Sequence, residues 1–320
     1  MPVFDSFDVD LDDFAERCAS GDPGVRRLAM LELGEVIEPG AVALLLKGLA
    51  DPAVEVRTAA IKSLDEHDGP EVVTGLIASL EDSDAIVRLT AAETLATKKE
   101  PACGPLLIER AGHADPFVQA AALRTLRELM LPEALAAGLR ALQSNDPAVR
   151  REGLGVIGYL KAEAALPALV ATARDPDASV RRATMGALVF TRPGGPGAAT
   201  LMAGLTDSHW LVREEAAVSI GKIRLAEATD LLIKAMEDDA WQVRIKAANA
   251  LGRLKAVRGV PALGQNLMAE VSNLRKEAAA ALGEIADASA LEWLEPCLDD
   301  PDPDVRKLIR WAIGRCQSPP

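Results

Sequence analysis

Three histidines, His67, His113 and His209, are the side chains best suited to acid–base or metal chemistry near neutral pH. They stand far apart, each beside loop-forming residues, and read as solvated loop histidines. The cysteines, Cys18, Cys103, Cys297 and Cys316, form no CxxC pair and no metal-ligand spacing, and read as small apolar filler. The chain has no HExxH, no nucleophile elbow and no glycine-rich phosphate loop following a strand. We therefore assign no catalytic residue, no metal and no cofactor. The chemistry on offer is recognition. With only one Tyr, four Trp and five Phe in 320 residues, the gathering of Tyr159, Phe190, Trp210 and Trp241 near Arg124, Arg127, Arg151 and Arg182 is informative. Aromatic side chains beside arginine are the usual anchors of binding surfaces.

These residues are carried on a repeat. A Val-Arg phrase, usually just after Asp-Pro or Asp-Ser, places Arg at 26, 57, 88, 150, 181, 213, 244 and 306, with Gln119 in the fourth slot and Arg275 in the ninth. Successive steps are 31 residues, except 32 from Arg181 to Arg213. A fixed period of this length marks a stacked array of supersecondary units. In the segment Asp51 to Leu64, Asp51 is a candidate N-cap and Pro52 suits a first helical turn. Val56, Ala59, Ala60 and Leu64 then recur at helical spacing as a buried stripe. Gly158, Gly221, Gly252, Gly283 and Gly314 follow inside apparent helix, where Gly costs about 1 kcal/mol against Ala; close approach of a neighbouring backbone would explain them. A second helical stretch, such as Ala41–Ala50 or Ala164–Ala173, precedes each turn. No alternating strand pattern occurs.

The phrase D-P-x-x-x-V-R-x-x-A-x-x-A-L-G-x-[IL] resembles HEAT repeats, in particular the short class named for phycobilisome lyase subunits, over roughly residues 8–317. The resemblance implies an all-α fold, an α-α superhelix (a HEAT-like solenoid) of about ten helix pairs, with the second helix of each pair lining a concave groove. We expect one solenoid over 1–320: a capping helix in 1–20, stacked repeats in 21–298 and a terminal helix and tail in 299–320. Phe4, Phe7, Leu11 and Phe14 form the apolar side of the first helix. The resemblance also gives the repeated charges a structural role. Arg57, Arg88, Arg150, Arg181, Arg213 and Arg244, with Asp51, Asp146, Asp175 and Asp207, are expected to pair between repeats.

Counting from each repeat Arg at 100° per residue, positions −1, +3, +7 and +10 cluster on one side and −3, +1, +5 and +8 on the other. The second set should face the groove. It contains Arg124, Arg127, Arg151, Arg182, Trp210, Trp241, Ile245 and Asn249. Tyr159 and Phe190 lie one step round, at +9. Gly155, Gly158 and Gly186 leave room above their helices. The expected function is a non-catalytic scaffold or assembly factor that holds an acidic or amphipathic segment of another protein across repeats 4 to 8. Three other readings stand beside it. Trp210 and Trp241 could stack on each other as packing. A phycobilin-lyase-like enzyme or tetrapyrrole-handling protein could use the same arginines. Trp293 and Trp311 could pack together or form an end that dimerises. The loop Thr191–Ala198, dense in Pro and Gly, absorbs the extra residue or hinges the array.

A net charge of −13 argues against nucleic acid, whose binding needs clustered cations, and against anionic membranes. The iron-binding His-Glu pairs of deoxyhypusine hydroxylase, a HEAT relative, are missing: the residues after the histidines are Asp68, Ala114 and Trp210. No apolar run is long enough to span a bilayer, and MPVFDSFDVDLDDF is unlike a signal peptide, so a cytoplasmic location is expected.

Overall fold

A computed structural model describes residues 11–317. Phe4 and Phe7, and with them part of the expected capping helix, lie outside the described residues. Among those described there are 20 α-helices and no strand. The chain divides into two compact units, Met1–Leu160 and Lys161–Pro320. Each is an α-α superhelix of helix pairs. We label only the helices that carry the Val-Arg phrase. In the first unit these are α1 (Pro23–Leu33), α2 (Val54–Ser63), α3 (Ala85–Thr97), α4 (Pro116–Leu129) and α5 (Pro147–Leu160). In the second they are α6 (Ala178–Ala187), α7 (Trp210–Ile223), α8 (Trp241–Arg253), α9 (Ser272–Ile285) and α10 (Pro303–Gln317). Within a unit each labelled helix packs on the next and on the shorter helix before it.

The apolar stripe is the reason for the stacking. Val56, Ala60 and Leu64, and their equivalents Val212, Ala216 and Ile220 or Leu274, Ala278 and Leu282, have no exposed surface. A small residue at +3 lets paired helices approach closely: the Ala216 methyl lies 3.0 Å from where a Cβ on Gly204 would sit. At +10 the stripe admits one charge. Lys98 is buried, and its ammonium donates to the carbonyls of Asp65 and His67, at 2.5 and 2.8 Å, so it closes the end of the preceding repeat. A buried ammonium is tolerated only with such acceptors.

The repeated aspartates do two jobs. Four residues before the phrase Arg, or before Gln119 in the fourth slot, Asp84, Asp115, Asp146 and Asp177 accept from backbone N–H groups of their own helix starts. Six residues before it, Asp51, Asp82, Asp207, Asp238 and Asp300 bond forward two residues and also receive the Arg of the preceding repeat. Asp51 is thus not the N-cap of α2. The cap position is Ala53, and the Asp51 carboxylate takes the Ala53 N–H at 2.9 Å. Pro52 lies in the turn, ahead of the first helical residue. Asp146 is the converse correction: it caps α5 with a 2.7 Å bond from the Ala148 N–H, a local task set by its position at −4.

The phrase arginines build a ladder. In the first unit Arg26 reaches Asp51 and Arg57 reaches Asp82; in the second Arg181 reaches Asp207, Arg213 reaches Asp238 and Arg275 reaches Asp300. Each uses Nε and Nη2 in a two-pronged grip, with Nε–O distances of 2.7, 2.7, 2.8, 2.6 and 2.7 Å in that order. Nη1 of the same arginines donates to the carbonyl six residues back in its own turn, as from Arg57 to Asp51 and Arg213 to Asp207, both at 2.8 Å. Arg150 makes this bond to Ser144 at 2.9 Å, and the Asp175 carboxylate accepts the Asp177 N–H at 2.9 Å. Planar forks on carboxylates are strong, directional contacts. The guanidiniums of Arg26, Arg181 and Arg275 hold Asp51, Asp207 and Asp300 below the usual carboxylate range. At Asp82 and Asp238 burial works in the opposite sense, and Arg57 and Arg213, with the backbone N–H groups of Asp84 and Ala240, outweigh it.

Two rungs depart from this. For Arg88 the place of the carboxylate, 25 residues on, is taken by His113. Arg88 bonds Asp115 through Nη2 at 2.5 Å and lies over the Phe117 ring, 4.6 Å from its centre. Arg244 meets Ala269 instead of an aspartate. Its Nε is buried without a hydrogen-bond partner, so the expected inter-repeat pairing of Arg244 is not made: the residue that would accept has no carboxylate.

Among the described residues no helix is long and apolar enough to cross a membrane, and no group of three or more His, Cys, Asp or Glu could hold a metal ion.

Candidate functional site

In the first unit α4 and α5 bring three of the predicted arginines onto one carboxylate. Glu152, at +2 of α5, is buried to all but 6%. Arg124 Nη2 lies 3.3 Å from its Oε1, Arg151 Nη2 3.6 Å from the same oxygen, and Arg127 Nη1 3.7 Å from Oε2. Arg127 also donates from Nε to Glu128 Oε1 at 2.9 Å and lies over the Tyr159 ring at 5.6 Å. Three guanidiniums thus face two carboxylates. The cluster keeps a positive surplus at a surface where Tyr159 is half exposed. Gly155 does not leave open space, as its size suggested. A Cβ there would stand 3.0 Å from Arg127 Cδ, so the glycine is the bed on which Arg127 lies. Glu152 was not singled out from the sequence; its signal is a lone acid directly after two arginines, Arg150-Arg151-Glu152.

The second unit holds a different face. Trp210 opens α7 half-buried, and the ring against it belongs to His209, 6.4 Å away and inclined by 16°. His209 Nδ1, as assigned, accepts the Leu211 N–H at 3.3 Å and caps the helix. Among the described residues no ring pair joins Trp210 to Trp241. Trp241 opens α8 and is 38% exposed, with Ile245 half-buried one turn on. Asn249 is turned to its neighbour: its amide donates to Glu277 Oε1 at 2.8 Å. Arg182 of α6, well exposed, lies 3.4 Å from Glu215. Phe190, with Leu166, Pro196 and Thr191, lines a cavity of about 280 Å³. The Thr191 hydroxyl is buried there without a partner.

In repeats 3 to 10 the predicted open stripe holds at −3, +1 and +5 and fails at +8 in three. Gly221, Gly252 and Gly283 are buried. A Cβ on Gly221 would stand 3.1 Å from Ala250 Cα, and one on Gly252 2.9 Å from Ala281 Cα. At Gly283 it would collide with the Trp311 ring. These glycines admit the next helix, and Gly314, at the same place in α10, has nothing within 4 Å among the described residues. Trp293 lies on Gly264 as Trp311 does on Gly283, and no ring pair joins the two tryptophans among the described residues.

A family model for HEAT repeats matches residues 11–95, 73–142, 137–203, 198–271 and 260–320. No curated protein gives a significant match. Among solved structures the chain is similar to an engineered protein, at 22% identity and a TM-score of 0.51, with 97% of this chain and 99% of that one covered. It is also similar to YibA of Escherichia coli, at 21% identity and a TM-score of 0.62, covering 80% and 95%. A chain of a Kap95p–RanGDP structure superposes with a TM-score of 0.68 at 13% identity, covering 97% of this chain but 51% of that one, so this chain spans about half its length. Likenesses at these identities speak for the fold; the repeat model, matched from residue 11 to residue 320, speaks for descent, and the chain belongs to the HEAT-repeat family.

Proposed function

We propose that the protein is a non-catalytic scaffold or assembly factor, acting in the cytoplasm, that holds an acidic, partly apolar segment of a partner protein. The observation that carries this reading is the cluster on α4 and α5. Arg124, Arg127 and Arg151 converge on Glu152 with positive charge to spare, beside half-exposed Tyr159, in a chain of net charge −13. A buried carboxylate fixes the guanidiniums from below and leaves their outer edges to a ligand acid. Tyr159 supplies the flat apolar contact that fixes register. Arg182, Trp210, Trp241, Phe190, Ile245 and Asn249 offer a second, more apolar face in the other unit. Structures of the same fold support the class of function: Kap95p is found in structures with RanGDP and with Nup1.

The test is an array of acidic 15-residue peptides with and without aromatic residues, read with wild type and with an Arg124→Glu, Arg151→Glu variant that keeps its helical circular dichroism. Wild type should select peptides that carry both features, more weakly at higher salt, and the variant should lose them. Equal binding by both proteins would remove the cluster from the function. The short-repeat likeness to phycobilisome lyases motivates one further arm. A tetrapyrrole would set its propionates on the same arginines, and a bilin added to wild type would then change its absorption spectrum where the variant would not.

A further inference from the structure

A second concentration of charge lies in the second unit, and of the residues considered above it shares only Gly252 and Trp311. Arg224, Arg253, Lys255 and Arg315 line one cavity of about 470 Å³ together with Glu284, Trp311 and Gly252. Four cations face one carboxylate, a surplus of three. None of the four forms a side-chain hydrogen bond or an ion pair with the described residues, in contrast to the phrase arginines, most of which are clasped. Like charges gathered without a counterion repel each other, and an external anion would relieve that repulsion.

Two of these cations occupy costly backbone positions. Arg224, which follows α7, has φ 51 and ψ 50, and Lys255, beyond the end of α8, has φ 49. Glycine or asparagine is the easy residue for a left-handed helix end; this chain places other residues there in five repeats, and Arg224 and Lys255 are the two that line this cavity. Cations do complement the C-terminal end of a helix dipole, but one per helix end would serve that purpose. Here the ends of α7, α8 and α10 direct four into a single hollow. The floor is rigid. Gly252 lets Glu284 come in close, with Oε2 at 2.9 Å from where a Cβ would stand. Trp311 lies against Gly283 and still leaves 45% of its surface exposed.

Each part specifies the occupant. Three of the four cations are arginines, whose planar forks match phosphate oxygens. An exposed indole offers a stacking platform for a planar ring. The volume lies in the range of small-ligand sites. We propose that this cavity binds a small phosphate ester with several negative charges and an aromatic ring, the ring on Trp311 and the phosphates among Arg224, Arg253, Lys255 and Arg315. Glu284 works against the ligand and sets a ceiling on its charge.

The experiment is calorimetric titration of the full chain with ATP, tripolyphosphate, adenosine and citrate, in low and in physiological salt. ATP should bind, and tripolyphosphate about tenfold more weakly for want of stacking. Adenosine should not bind. Arg253→Glu should weaken ATP at least tenfold, while Arg192→Glu, on an exposed loop of the same unit, should leave it unchanged. Trp311→Leu should weaken ATP and spare tripolyphosphate. Glu284→Gln should tighten both about three- to tenfold by removing a like charge. This last variant keeps the test open should Arg253→Glu perturb the fold. The proposal is overturned if neither phosphate binds, if citrate binds as well as tripolyphosphate, or if Glu284→Gln weakens binding.

Discussion

Arg213 and Arg244 occupy the same position in consecutive repeats, and their surroundings differ by one carboxylate. Arg213 closes a two-pronged grip on Asp238, with Nε to Oδ2 at 2.6 Å. Arg244 finds Ala269 in the corresponding place and leaves its Nε buried and unpartnered. The difference teaches that the ladder is built rung by rung. Each arginine depends on one acid in the next repeat, and the array folds with a rung missing because the apolar stripe runs on through Val243, Ala247 and Leu251 without exposed surface. Packing makes the stack; the ladder sets how firmly each joint is clasped.

The comparison breaks first at its intact side. Asp238→Ala strands Arg213 in a largely buried setting and should cost about 3 kcal/mol. Urea unfolding with hydrogen exchange on α7 and α8 measures this, and a loss below 1 kcal/mol would reduce the rung to decoration. Arg213→Met should cost clearly less than Asp238→Ala, because it removes the charge along with the bond. Next comes the glycine column, where one position has opposite signs in different repeats. Gly252→Ala should destabilise by about 1–3 kcal/mol, since the new methyl meets the Ala281 backbone. Gly314→Ala should stabilise by about 1 kcal/mol, because nothing among the described residues stands within 4 Å and helix propensity is what changes. Thermal unfolding of the pair decides whether close approach or chance keeps these glycines. The smallest effect repairs the open rung. Ala269→Asp should stabilise by about 1 kcal/mol, provided Arg244 swings into the grip its neighbours use; no gain would mean that the joint has closed over the gap.

The rungs also have a pH signature. Asp51, Asp207 and Asp300 titrate below their unfolded values because Arg26, Arg181 and Arg275 hold them ionised. A lowered folded pKa stabilises the native state above the unfolded value, and that stability is lost as pH falls through the folded one. Wild type should therefore lose little between pH 7 and 5 and lose stability steeply below about pH 4. Asp207→Asn should flatten that fall, which acid titration followed by circular dichroism would show.

Much of the fold was legible because the period is carried by residues with strong local preferences. Val-Arg at 31-residue steps located every repeat, and the helical wheel placed Arg124, Arg151 and Trp241 on accessible surface. The wheel treats a helix as an isolated cylinder, so it set Gly221 and Gly252 on the open face, where the neighbouring helix in fact lies. It stops where the helix stops, so the side chains of Arg224 and Lys255 at left-handed ends had no predicted direction. Asp-Pro begins helices so often that the local pattern makes Asp51 a cap; its place six residues before the arginine, rather than four, is what commits it to the rung.

The open rung also bears on how the second unit would respond to tension. Drawn out along the stack, the α7–α8 and α9–α10 joints must break a paired guanidinium and carboxylate before they part. The α8–α9 joint has no such rung, only the Asn249–Glu277 hydrogen bond beside its apolar contact. It is the compliant coil in an otherwise stiff spring, and a pulling force would find it first.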